Sequence, residues 1–216
     1  MLVKTLTDAI ADELNDLEPG NEHVHWPLPN IYSYITQALQ QIKLLEPALF
    51  SALKTFVLRP GSTQYLPSEY GQLLDIADLT YAEHELTKYF NKSIACYDPY
   101  IPKSFSIDDS NNRVFYILPP VPAGSTVTIN VFVTQTVTPV VAQNQDLQFP
   151  GGDIDKYFNQ ILDWALFRAF LKDTESQSNY TRAQGHYKSF YDAFGAKNKL
   201  EDRESMMRAA KGEDTQ

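Results

Sequence analysis

The apolar residues of this chain keep a helical period at both ends and change to a period of two in between, which restricts the fold to a helical body interrupted by strands. Leu2, Leu6, Ile10, Leu14 and Leu17 fall on one stripe of a first helix that Pro19-Gly20 closes. Ile31, Tyr34, Ile35, Ala38, Ile42 and Leu45 mark a second, from Asn30 as N-cap to Glu46 before Pro47. Past Gly151-Gly152-Asp153 a third helix carries two apolar stripes. One is Ile154, Phe158, Ile161, Leu162, Ala165 and Ala169; the other is Tyr157, Trp164, Phe167 and Leu171. A helix apolar over more than half its girth needs cover on several sides. Thr174-Glu175-Ser176-Gln177 has the form of a capping box opening a partner helix. Its face is Tyr180, Ala183, Tyr187, Phe190, Tyr191 and Phe194, and Gly195 supplies the stop.

The middle reads differently. Phe56–Arg59 and Thr63–Leu66 flank Pro60-Gly61, a type II turn signal that predicts a hairpin or a tight β-corner. Leu73–Ile76 is a short strand and Glu83 to Asn91 a brief helix. Ser104–Ile107 and Arg113–Leu118 are strands joined by the turn residues Asp108 to Asn112. Pro119 to Gly124 forces the chain round. Val127, Ile129, Val131 and Val133 then alternate with polar or outward residues, and an antiparallel meander is expected. Residues 196–216 hold five basic and five acidic residues and few large apolar groups, the composition of a tail. The fold class is therefore α+β, mainly helical: a helical bundle core (1–50 and 151–195), an antiparallel β-rich insertion (about 54–140) and an extended C-terminal tail (196–216).

Charge and composition exclude several functions. A net charge of −9 disfavours gripping nucleic acid, because phosphate binding relies on clustered Lys and Arg. The single cysteine, Cys96, excludes an intrachain disulfide framework. The N-terminus meets an acidic residue by Asp8 and lacks the apolar core of a signal peptide. No run of about 18 apolar residues predicts a membrane span. The sequons at Asn91 and Asn179 carry little meaning without a secretory signal.

Chemical motifs are sparse. His23 and His25 share a proline-flanked loop with Trp26, but a zinc site needs three or four converging ligands, and only His84 and His186 remain elsewhere. Cys96 lacks a nucleophile elbow or oxyanion motif. Asp108 to Asn112 opens like a calcium loop yet lacks the central glycine and distal glutamate, so a β-turn is expected. Asp153 and Asp155 suit a helix start. No metal, cofactor or catalytic residue is assigned, and the chain is read as a non-enzyme.

Several blocks along the chain together resemble the head-to-tail adaptor (connector) proteins of tailed bacteriophages, especially short-tailed ones. They are Gly61–Pro67, Leu73–Ile76, Val114–Pro120 with Pro122-Ala123-Gly124 and the valine-rich strand after it, and the helical stretch Tyr157 to Tyr187, notably Leu162–Phe170 with Lys172–Glu175. The resemblance implies a virion structural protein with a helical core and a β-rich insertion, made in the host cytoplasm and placed at the neck. It implies a homo-oligomeric ring, commonly of twelve copies, beneath the portal protein. That ring forms part of the DNA exit channel, passes DNA without specific binding, engages a tail nozzle or tail-tube protein, and meets no membrane. It further implies a C-terminal extension reaching the portal, with Leu200, Arg203, Met206 and Met207 as contacts. The second apolar stripe, Tyr157, Trp164, Phe167 and Leu171, is the candidate subunit interface. Two other readings are a small cytosolic ligand-binding protein or enzyme with a site near His23, His25 and Trp26, and another phage structural role such as a tail-tube or completion protein.

Overall fold

The computed structural model describes residues 1–18, 23–77, 79, 101–108, 110–172 and 177–195, and the backbone alone of 80–81 and 196–211. The chain divides into a helical unit, residues 1–45 and 137–216, and a β unit, residues 46–136.

The helical unit holds α1 (Val3–Glu13), α2 (Leu28–Leu45), α3 (Phe158–Lys172) and α4 (Gln177–Lys211). Helix α1 has no side-chain N-cap. Its first amides are met instead by carbonyls of the returning chain, Val3 N–H to Gln145 O at 3.0 Å and Lys4 N–H to Gln143 O at 2.9 Å. It ends at Glu13, earlier than Pro19-Gly20 would have it; that pair lies outside the described residues. The reason is Asn15, at φ 53°. Asn15 N–H donates to Asp12 O and Asp16 N–H to Ala11 O, the two bonds of a Schellman closure with asparagine in the left-handed position. Leu14 and Leu17 therefore leave the helical stripe. Helix α2 starts two residues before Asn30, since Pro29 fits a first helical turn. Its buried face is Ile31, Tyr34, Ile35, Ala38, Leu39 and Ile42, while Leu45 is exposed.

Helix α3 is entered through a 3₁₀ turn, Ile154–Tyr157, whose cap is the Asp153 carboxylate accepting Asp155 N–H at 3.1 Å. It packs against α1, α2 and α4, so cover on several sides comes from within the chain. Helix α4 does not stop at Gly195; its backbone continues to Lys211. A glycine inside a helix costs only about 1 kcal/mol, and Ala196, Lys197, Lys199, Leu200 and Glu201 are good helix formers. The capping box at 174–177 falls largely outside the described residues, as do Cys96, His84 and the helix expected at 83–91. A Cβ at Gly195 would meet nothing within 4 Å. Gly195→Ala is thus expected to raise helix stability by about 1 kcal/mol, read as higher mean helicity and a higher melting midpoint.

The β unit is two sheets packed face to face. One has the order β1-β7-β3, from β1 (Ser51–Val57), β7 (Thr128–Thr134) and β3 (Leu73–Ile76). The other has the order β2-β6-β5-β4, from β2 (Gly61–Tyr65), β6 (Val114–Val121), β5 (Ser104–Ile107) and β4 (Thr80–Tyr81). All pairs are antiparallel except β4 with β5. The core between them includes Phe56, Leu73, Ile76, Ile129, Val131 and Val133 from the first sheet and Phe105, Phe115, Ile117 and Val121 from the second. Phe56 and Phe115 meet edge to face across the sheets at 5.8 Å.

Pro60-Gly61 makes the β-corner and not the hairpin: β1 and β2 lie in different sheets, and Gly61 takes φ 101° between them. The corner is plugged by Gln64, whose side chain is fully buried. Its Oε1 accepts Arg59 N–H at 2.8 Å, and its Nε2 donates to Arg59 O at 2.8 Å and Gly61 O at 3.1 Å. The meander is also corrected. β5 and β6 do form a hairpin, but β7 crosses to the other sheet. Strand β6 runs on through Pro119 and Pro120, because those residues lie opposite the register shift between Gly61 and Thr63 and past the end of β5 at Ser104, where no ladder amide is required. The turn then falls at Pro122 to Ser125, with Gly124 at φ 82°.

Gly71 sits where two segments touch: its amide and that of Gln72 both bond Thr134. A Cβ there would collide with Thr134 Oγ1 and lie 2.9 Å from the Thr134 carbonyl oxygen. Gly71→Ala is expected to cost about 1–3 kcal/mol of unfolding free energy by urea titration, since backbone must shift to admit it.

A turn forms around Asp108, Ser110 and Asn111, as expected. Asp108 accepts from Ser110 and Asn111 amides, and the Ser110 and Tyr116 hydroxyls also donate to it. These bonds, the Ser110 hydroxyl first, hold the Asp108 carboxyl below the ordinary carboxylate range. The stability it contributes is present above the ordinary range and is lost as pH falls through the lowered value. Asp108→Asn should therefore lose stability at neutral pH and flatten the acid limb of a stability–pH curve.

Candidate functional site: the aromatic helix pair

Helices α3 and α4 meet through an aromatic ladder centred on Trp164, which is 7% exposed. Its indole packs on Phe190 at 4.9 Å, Phe167 at 5.3 Å, and Tyr187 and Tyr191 at 6.5 Å each. The ladder continues from Phe190 to Phe194 at 5.1 Å and from Phe194 to Tyr157 at 6.2 Å, and Tyr157 meets Phe149 at 5.4 Å. The helical period of both sequences produces it: residues spaced by three and four align along the seam. Burial, with Tyr187 as hydrogen-bond neighbour, pushes the Tyr191 hydroxyl above its usual range.

Two members of the second stripe, Tyr157 and Trp164, are thus buried inside the chain, whereas Phe167 and Leu171 stay half-buried at its margin. Ala183, Phe190 and Phe194 of α4 are buried. Tyr180 and Tyr187 are 42% and 44% exposed, so the expected α4 face is narrower than its periodicity suggested. Tyr187 stacks beside Phe167 at 5.1 Å and Tyr191 at 4.8 Å, making an aromatic margin open to solvent. One turn on from Trp164, Arg168 lies near Tyr34 of α2; burial raises the Tyr34 hydroxyl and the guanidinium partly offsets this. Trp164 Nε1 and Arg168 Nε are buried and find no hydrogen-bond partner among the described residues.

A polar cluster locks the same pair of helices. His186 Nδ1 lies 2.9 Å from Asp163 Oδ1, and Ser189 Oγ donates to Asp163 Oδ2 at 2.7 Å. The three residue types are those of a hydrolytic triad, but the order is wrong: the carboxylate stands between histidine and serine, so the imidazole is not placed to take the serine proton. His186 also stacks on Phe170 at 5.8 Å, and Arg182 covers that ring at 5.7 Å. Sequence reasoning missed this cluster. The signal was His186 and Ser189 three apart on one helix face, opposite a lone acid.

The His23–Trp26 loop is organised by Asp16, a buried carboxylate that accepts His25 N–H at 3.2 Å and Trp26 N–H at 2.8 Å, while His23 N–H bonds the Asp16 carbonyl. It is a backbone-capping arrangement. Among the described residues, no three His, Cys, Asp or Glu side chains converge as metal ligands, and no helix is long and apolar enough to cross a membrane. Leu200, Arg203, Met206 and Met207 lie on the α4 backbone, with side chains outside the described set.

No curated protein matches the chain. A family model described as SU10 adaptor protein matches residues 1–212, taking in the helical unit, the β insertion and α4. With that span matched, the chain belongs to the SU10 adaptor protein family, the phage head-to-tail adaptors whose sequence pattern it resembles.

Proposed function

We propose that this adaptor forms a ring, of twelve copies, between the portal and the tail nozzle or tube, and that the ring is part of the channel through which DNA leaves. The family match over residues 1–212 supports the reading, because it takes in every described element of the chain. As a phage structural adaptor the protein works in the virion among head and tail proteins. Its net charge of −9 suits a channel wall that DNA passes without sticking.

Within the ring, the half-buried Phe167 and Leu171, continued by Tyr187, meet the neighbouring copy. Tyr157 and Trp164 support that margin from behind. The segment from Lys197, through Leu200, Arg203, Met206 and Met207, contacts the portal. Its mixed charge and few hydrophobes suit a helix that gains burial only by docking.

Electron microscopy of the protein mixed with its portal rings tests this. The expected result is a second ring stacked on the portal, lost when the chain is truncated after Gly195 while circular dichroism still reports a folded domain. Unstacked portal rings with the full chain would overturn the ring; saturation by the truncated chain would overturn the portal contact.

A further inference from the structure

Among the described residues, the two sheets of the β unit have four edges, and three are short or irregular. β4 spans two described positions, Thr80 and Tyr81. β3 has four residues, slips register between Leu73 and Asp75, and presents the exposed Asp75 carboxylate. β2 follows Pro60 and shifts register between Gly61 and Thr63. Shortness, charge, proline and bulges are the devices by which natural sheets avoid pairing edge to edge.

β1 is longer and regular, and of these devices it carries only a charge, Lys54. It runs seven residues in unbroken register with β7, from Ser51↔Thr134 to Val57↔Thr128, with no proline. Leu58 N–H donates to Val127 O and Gln135 N–H to Phe50 O, so the even-numbered residues face β7. The N–H and C=O groups of Leu53, Thr55 and Val57 therefore point to the open edge. Their side chains lie on the outer face, Leu53 53% and Val57 56% exposed, with half-buried Phe132 across from Leu53. The one charged residue of the strand, Lys54, is on the other face.

We propose that β1 pairs antiparallel with β1 of a second copy of this chain, about a two-fold axis at Thr55. Among the described edges β1 is the longest and, of those longer than two residues, the only one in unbroken register, so the edge that best matches β1 on another copy is β1 itself, which makes the contact isologous and closed. Centred on Thr55, the pair sets Leu53 against Val57 of the partner subunit and Val57 against Leu53 of the partner subunit. Thr55 then meets Thr55 of the partner subunit, and all three pairs exchange main-chain hydrogen bonds. Apolar and Thr–Thr cross-strand pairs of this kind are favourable. Charge disfavours the neighbouring register: centring on Lys54 would oppose two lysines, whereas the Thr55 centre places Lys54 against Phe56 and Arg59 against Ser51. The contact is smaller than the ~1,200–2,000 Å² of a standard stable interface, so it dissociates on dilution. It is separate from the ring proposed above, and its failure leaves that reading untouched.

Sedimentation velocity of the full chain, from about 5 to about 300 µM, tests the pairing. The native chain is expected to pass from monomer to dimer over that range. Thr55→Lys, exposed in the folded chain, sets like charges on the axis and should weaken dimerisation at least about tenfold with an unchanged melting curve. Leu53→Lys should do the same, and serves if Thr55→Lys shifts the melt. A chain that stays monomeric throughout overturns the proposal, as does a dimer or larger assembly that both variants leave intact.

Discussion

Phe190→Ala is expected to destabilise the helical unit by about 3–5 kcal/mol. Phe190 is fully buried and touches Trp164, Tyr191 and Phe194 at ring separations of 4.9–5.1 Å. Removing it takes away the transfer energy of a large ring and leaves a cavity that rigid aromatic neighbours cannot fill by a small shift. The Trp164 indole would lose its closest ring, so tryptophan fluorescence and urea unfolding should report the loss together. A cost below about 1 kcal/mol would mean that the seam repacks freely and that the ladder is not what joins the two helices.

Gln64→Leu should be nearly as damaging to the β unit, costing about 3 kcal/mol or more, although leucine is similar in size and less polar. The side chain is fully buried, and its three hydrogen bonds go to backbone groups of Arg59 and Gly61 at the corner between the two sheets. Leucine would remove all three bonds at a partly buried corner, each lost partner costing up to about 1–3 kcal/mol. Gln64→Glu keeps the acceptor for Arg59 N–H but loses both donations and buries a charge, so it should also destabilise, and more at neutral than at acid pH. Denaturant melts of the two variants measure this; a Gln64→Leu protein as stable as the native one would show that the corner is not held by its glutamine.

The helices and the strand-rich middle were legible because burial imposes periods of 3.6 and 2, and the valine strand 128–134 shows its alternation directly. What stayed hidden was long-range. Nothing local tells β7 to pair with β1 and β3 instead of β6, because sheet membership depends on which faces find each other in space. Helix ends were the other weak point. Asn15 closed α1 where Pro19-Gly20 looked stronger, and Gly195 failed to close α4, since a glycine stops a helix only when the following chain gains by turning away. In the candidate site the aromatic seam could be read from spacing. Which rings stay at its margin could not, because that depends on how the two helices are rotated against each other.

The register Ser51↔Thr134 has a consequence for how the molecule is threaded. The insertion leaves and returns on neighbouring strands, with Gln135 N–H bonded to Phe50 O just outside them. Once folded, it holds its own two ends within a strand spacing, so the two halves of the helical unit are joined as if by a short loop. Closing that loop through an unfolded insertion would cost about 3 kcal/mol more in chain entropy. The β unit is in this sense a clasp, and it is also exchangeable: another module whose ends emerge side by side could replace it without rethreading a single helix.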